Sequence, residues 1–228
     1  MLPSTHPQLL EHSVISNHHY LGVDLGSTTV TAVLIDADSK RVVATDSIAN
    51  DAETTSPGAR RLGRSEWDID KMASYGLEAA KRVVERSGLP PESVAGIGVT
   101  GQQQGLQLFD SDLRTVGPFI SWQDQRSKEA VGDGTANYLD LMAERGGATR
   151  SGTMLPEFQN TGCPLVTGYT ASALFWLAHN DQLPFGVAAS TAPEWLVSRL
   201  TGRRPVTDPT DAAGWGVFDV PRSYGITT

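Results

Sequence analysis

Three groups of side chains in this 228-residue sequence have the types and spacing to do chemistry. The first is Asp24 followed by Gly26-Ser27-Thr28-Thr29. A carboxylate two residues ahead of a glycine turn is placed to hold Mg²⁺ or its waters beside a phosphate. The turn adds free N–H groups and three hydroxyls, the parts of an anion cradle. An ordinary hairpin turn has the same composition. Neither G-x-x-x-x-G-K-[ST] nor G-x-G-x-x-G follows here, so any phosphate would be held by a different device.

The second group is Gln102-Gln103-Gln104, bounded by Gly101 and Gly105. Amides both donate and accept, which suits a polyol, although a solvated loop carries glutamines equally well. The third is Trp122-Gln123-Asp124-Gln125-Arg126. An indole beside a carboxylate and a guanidinium supplies the flat wall and charged partners of a sugar site. The plainer alternative is a partly buried Trp beside an Asp–Arg surface pair. Farther on, Asp208 to Phe218 sets small residues between carboxylates, consistent with close backbone packing near a polar cleft or with a surface turn leading into a strand.

These groups need elements to position them. Leu21, Val23 and Leu25 alternate with polar or small residues, and a second β-rich run starts at Val30, so residues 20–36 predict a hairpin. A third strand follows from Arg41 to about Ala49. Residues 50–66 predict a long polar excursion. Ser65-Glu66-Trp67-Asp68 then resembles a capping box ahead of a helix with Ile69, Met72, Ala73, Gly76, Ala79 and Val83 on one face. Gly88 and Pro90 end that helix, and Val94–Val99 predicts a short buried strand leading into the glutamines. Leu106–Phe109 is strand-like. Tyr138, Leu139 and Met142 share a helix face, Thr170-Ala171-Ser172 should cap a helix with Leu174, Phe175 and Ala178 inward, and Val187–Ala189 should be a buried strand. Pro193 and Gly202 bracket a short helix. Residues 147–170 predict a loop region in which Cys163 is structural.

Composition excludes several classes. A formal net charge of −8 with no Lys/Arg cluster argues against nucleic acid as a partner. One cysteine forms no internal disulfide, and no apolar run nears membrane-spanning length, so the expectation is a cytoplasmic protein with no membrane partner. Residues 1–19 predict a flexible leader whose histidines match no metal-ligand spacing.

Taken in order, Gly22-Val23-Asp24-Leu25-Gly26-Ser27-Thr28, Ser65-Glu66-Trp67, Gly98-Val99-Thr100-Gly101-Gln102, Ser121 to Arg126 and Asp208 to Phe218 resemble the N-terminal domain of the FGGY carbohydrate kinases. The pattern is nearest the sedoheptulokinases of that family, then its xylulokinases. The resemblance implies an α/β domain of the ribonuclease-H-like, actin-like ATPase class, with a mixed sheet opened by three antiparallel strands and helices on both faces. Residues 20–228 would be that sugar-binding domain, without the C-terminal nucleotide-binding domain. Asp24 would organise Mg²⁺ with ATP, and Gly26, Ser27, Thr28 and Thr29 would face the phosphates. Gln103, Gln104, Trp122, Asp124 and Arg126 would surround a ketose such as sedoheptulose or xylulose. No catalytic base is expected in this chain, because the family's aspartate base lies in the C-terminal domain. The chain alone is therefore expected to be inactive, with a bare apolar face that favours a homodimer. A stand-alone sugar-binding or regulatory module is the alternative. One departure bears on substrate: ketose kinases of this kind commonly show Gln-Met-His-Gly where this sequence has Gln102-Gln103-Gln104-Gly105.

Overall fold

A computed structural model describes residues 18–145 and 165–218. Its strands are β1 (His19–Leu25), β2 (Thr29–Asp36), β3 (Arg41–Ala49), β4 (Glu66–Trp67), β5 (Val94–Gly101), β6 (Leu106–Phe109), β7 (Thr115–Ile120) and β8 (Ala188–Ser190). Its helices are α1 (Pro57–Arg61), α2 (Ile69–Ser87), α3 (Tyr138–Arg145), α4 (Thr170–His179), α5 (Ala192–Thr201) and α6 (Pro209–Ala213). The leader up to residue 17 and the stretch around Cys163 lie outside the described residues.

Instead of one sheet there are two, each of four strands, in the orders β3-β2-β1-β5 and β4-β7-β6-β8. The first is mixed and opens with three antiparallel strands, as expected. In it the period-two alternation puts Leu21, Val23, Leu25, Val30, Ala32 and Leu34 on one buried face. Each Leu or Val on it contributes roughly 1.5–3 kcal/mol when fully buried, so this face fixes the strand register. Helices α2 and α5 cover it. Gly76 of α2 is what permits the close approach, since a Cβ there would lie 3.0 Å from Leu196 and 3.2 Å from Leu25 side-chain atoms. Among the described residues no helix lies on the opposite face, where Gly22, Thr31, Val33 and Gly98 line a shallow groove. The second sheet does carry helices on both faces. Phe109 and Phe119 pack with Trp195 on the α2/α5 side, while Leu106, Leu108 and Ile120 pack with Trp176 and Leu177 of α4.

Several local expectations change. Asp68, not Ser65, caps α2, its carboxylate accepting the Lys71 N–H at 2.9 Å. Glu66 and Trp67 are instead drawn into β4, paired with Ile120 and Phe119 of β7. The excursion before them contains α1, begun by Ser56 and Pro57. Strand β5 has no fully buried residue, because it is the edge of its sheet and pairs only with β1. Tyr169, not Thr170, is the N-cap of α4, and Ala173, Trp176 and Leu177 face inward while Ala178 is exposed. Strand β8 is only partly buried apart from Ser190. The block from Asp208 holds a one-turn helix, α6, capped by the Asp208 carboxylate, rather than a turn into a strand.

Candidate functional site

Strands β1 and β5 run parallel with Leu25 opposite Gly101, so the chain leaves both at the same edge of the sheet. The carboxyl ends of adjacent parallel strands are where open α/β sheets present ligands. Here the Gly26 turn and the Gln102–Gly105 loop stand side by side, tied by the Gln102 N–H to the Leu25 carbonyl at 2.9 Å. Between them opens a cleft of about 440 Å³ lined by Asp24, Gly26, Ser27, Gly101, Gln102, Gln103, Gln104 and Trp122.

The turn is held by its carbonyls. Gly26 O accepts from Asn50 Nδ2 at 2.8 Å, and Thr28 O accepts from the Asn50 N–H at 2.9 Å. Neither bond consumes the N–H of Ser27 or Thr28, so the fastening leaves the donor side of the turn unspent. Gly26 is required sterically, since a Cβ there would lie 2.6 Å from Thr29 O. Thr28 and Thr29 do not line the cleft. Thr28 is exposed, and Thr29 begins β2 opposite Ala49. Asp24, exposed at the end of β1, is the one charged side chain among the described residues that line the cleft. Among the described residues no group of three or more His, Cys, Asp or Glu could hold a metal by itself. A single carboxylate completed by phosphate oxygens and waters is the usual arrangement for Mg²⁺, and Asp24 fits it.

The glutamine loop is strained and tightly packed. Gln104 has φ 71° and Gly105 has φ 84°. A non-glycine residue in the left-handed region costs on the order of 1 kcal/mol and persists only where the surroundings impose it. They do so from three sides. The Gly105 N–H donates to Gly168 O at 2.9 Å, and Thr170 Oγ1 donates to Gly105 O at 2.6 Å. A Cβ on Gly105 would lie 2.6 Å from the Phe119 ring, and one on Gly214 would lie 3.2 Å from Gln104 N. Gln103 Nε2 donates to Thr210 O of α6 at 3.3 Å. Gln102 is turned inward and 8% exposed, at the floor of the cleft.

Trp122 is 43% exposed and forms the opposite wall. Asp124 and Arg126, expected beside it as sugar contacts, do not reach the cleft. Asp124 is 1% exposed and both its oxygens are occupied. Oδ1 accepts from Arg126 N at 2.9 Å and Nε at 2.8 Å, while Oδ2 accepts from Ser65 N at 2.8 Å and Arg126 Nη2 at 2.9 Å. Arg126 also donates to Glu66 Oε1 at 2.8 Å and lies over the Trp176 ring. Burial works against its charge, but the carboxylates of Asp124 and Glu66 outweigh that and raise the guanidinium pKa. The pair is a buried brace under the Trp122 loop. Gly168, Gly214 and α6, which close the cleft's rim, were not among the expected site residues. The Asp208–Phe218 block does carry a signal, its small residues between carboxylates being one of the two readings given above, whereas Gly168 is only an isolated glycine.

A glycine turn with Asp24 and a wall of amides and an indole thus meet at the carboxyl ends of two adjacent parallel strands. The profile of the FGGY family of carbohydrate kinases, N-terminal domain, matches residues 19–224, and the chain belongs to that family. It is 31% identical over 204 residues to a xylulose kinase of Haemophilus influenzae, covering 88% of this chain and 38% of that protein. It is 28% identical over 232 residues to a sedoheptulokinase of Mus musculus, covering 91% and 44%. The crystal structure of a xyloylose kinase from Brucella ovis superposes with a TM-score of 0.70 at 27% identity over 89% of this chain and 37% of that one. The chain thus spans less than half the length of these relatives.

Proposed function

We propose that this chain supplies the sugar wall and the first phosphate loop of an ATP-dependent carbohydrate kinase acting on a neutral ketose such as xylulose or sedoheptulose. The observation that supports this is the meeting of Asp24 and the Gly26-Ser27 turn with Gln103, Gln104 and Trp122 in one cleft. Trp122 offers a flat face to the sugar's C–H surface, and the two glutamines exchange hydrogen bonds with its hydroxyls. No cationic side chain lines the described cleft, so a carboxylated sugar acid would find no counter-charge there while facing Asp24.

In the reaction, the hydroxyl oxygen bonds to the γ-phosphorus as the bond from that phosphorus to the ADP oxygen breaks. The hydroxyl proton passes to a base, which the family resemblance assigns to the C-terminal domain. Asp24 would hold Mg²⁺, whose charge offsets that of the phosphates. The turn amides at Gly26 and Ser27 would bind phosphate oxygens, and Trp122 with the glutamines would orient the attacking hydroxyl. Positioning and charge neutralisation supply most of the acceleration in phosphoryl transfer.

The test is ketose-dependent ADP release by a chain extended through a second lobe, compared with these 228 residues alone. Turnover by the longer protein and none by the shorter is expected. Ketose binding without turnover in the longer protein would favour a non-catalytic binding module. Full turnover by the 228 residues would require a base among them.

A further inference from the structure

The second sheet has a cavity of its own on the α4 side. Leu106, Leu108, Val116 and Ile120 line it from the sheet, Leu177 from α4 and Pro184 from the loop after α4, around a space of about 170 Å³. It shares no lining residue with the cleft at the ends of β1 and β5. An apolar cavity of roughly 150 Å³ is large enough to take up benzene, so this slot fits a single ring and little more.

Part of the lining is charged. Arg126, 4% exposed, and Glu66 border the slot among these apolar groups. Arg126 spends its backbone N–H and Nε on Asp124, and its Nη2 on Asp124 and on Glu66 Oε1. Its Nη1 has no hydrogen-bond partner among the described residues, and neither has Glu66 Oε2. Neither atom is sealed from solvent. A spare donor and a spare acceptor therefore sit on two groups already joined at 2.8 Å. A carboxylate entering the slot would meet Asp124 and Glu66 against one guanidinium, and an ammonium would meet Arg126 itself. A neutral hydroxyl suits both groups, accepting from Nη1 and donating to Oε2. A polyol does not fit, because its other hydroxyls would lie unpaired against apolar walls. We propose that this slot is a second small-molecule site, separate from the sugar cleft, for a neutral alcohol or phenol with a compact single-ring body.

The test needs neither sugar nor nucleotide. In the 228-residue chain with ¹³C-labelled methyl groups, millimolar phenol should shift the methyls of Leu108, Val116, Ile120 and Leu177 saturably and leave the Gln103 and Gln104 side-chain amides in place. Benzene, which lacks the hydroxyl, and benzoate, which carries a charge, should each bind about tenfold or more weakly, the expected loss for one hydrogen bond to a charged group. Glu66→Gln keeps an oxygen for Arg126 but turns the spare acceptor into a donor. It should weaken phenol by a similar factor and leave benzene unchanged. Val116→Phe should fill the slot and abolish binding of both. Should one variant fail to fold, the other decides together with the three wild-type titrations. No saturable phenol shift at those methyls, shifts centred on the sugar cleft instead, or benzene or benzoate bound as tightly as phenol would overturn the proposal.

Discussion

Asp124→Ala separates a buried brace from a sugar contact. The Asp124 carboxylate accepts four hydrogen bonds between 2.8 and 2.9 Å, three from Arg126 and one from the Ser65 N–H. Removing it strands a guanidinium whose side chain is only 5% exposed, with Glu66 as its one remaining carboxylate. Breaking a buried pair from one side costs about 3–5 kcal/mol, most of it the uncompensated charge. For a chain of this size that lowers the melting temperature by roughly 6–20 °C. The assay is urea unfolding of the wild type, Asp124→Ala, Arg126→Met and the double variant. The double variant should be less destabilised than the sum of the singles, since removing both charges leaves neither stranded. A loss below about 1 kcal/mol in Asp124→Ala, together with weakened sugar binding by an intact fold, would refute the brace and return Asp124 to the sugar wall.

Gln104→Gly should raise stability by roughly 0.5–1 kcal/mol by relieving the positive φ, and should weaken ketose binding, read by thermal shift with and without sugar. Gly105→Ala should do the reverse, costing about 3 kcal/mol or more because its Cβ would collide with the Phe119 ring and Ile120 O, and its soluble yield is the first readout. Asp24→Asn should leave the melting temperature within about 2 °C and, in a two-lobed enzyme, cut turnover roughly a hundredfold, about 2.7 kcal/mol of barrier. The pH dependence follows from two opposite shifts. Burial, then the charges of Asp208 and Glu194, push the Asp211 pKa up to about 6, so it contributes stability at low pH that is lost as pH climbs from about 4 through 6, while the lowered Asp208 contributes stability above about pH 4 that is lost on acidification. Melting curves from pH 3 to 8 should therefore show a maximum near pH 4–5, and Asp211→Asn should flatten its alkaline side.

Most of the first sheet and the α2 and α5 helices were legible because their signals are local. Alternation gives the Leu21–Leu25 and Val30–Leu34 faces, and Gly88 and Gly202 mark two helix ends by their left-handed backbone. The face of α4 was not legible, since Thr170–His179 is apolar nearly all round and its period cannot choose between Ala178 and Ala173. An Asp124–Arg126 pair was one of the two readings open, but its burial was hidden for a different reason. Their bonds run to Ser65 and Glu66, 59 and 60 residues away in sequence, and charged residues are rarely buried unless such partners exist. The cleft was half legible. Asp24, Gly26, Ser27, Gln103, Gln104 and Trp122 line one cleft, while Thr28 is exposed outside it and Thr29 is already paired with Ala49 of β3.

The central claim is that one cleft holds both the sugar wall and the phosphate turn, and amide and side-chain NMR mapping on the 228-residue chain tests it most directly. A neutral ketose should move the Gln103 and Gln104 side-chain amides and the Trp122 indole, and ATP with Mg²⁺ should move the Gly26 and Ser27 amides. Ketose-induced shifts confined to other surfaces, or none at millimolar ketose, about the range of weak small-molecule binding, would contradict it.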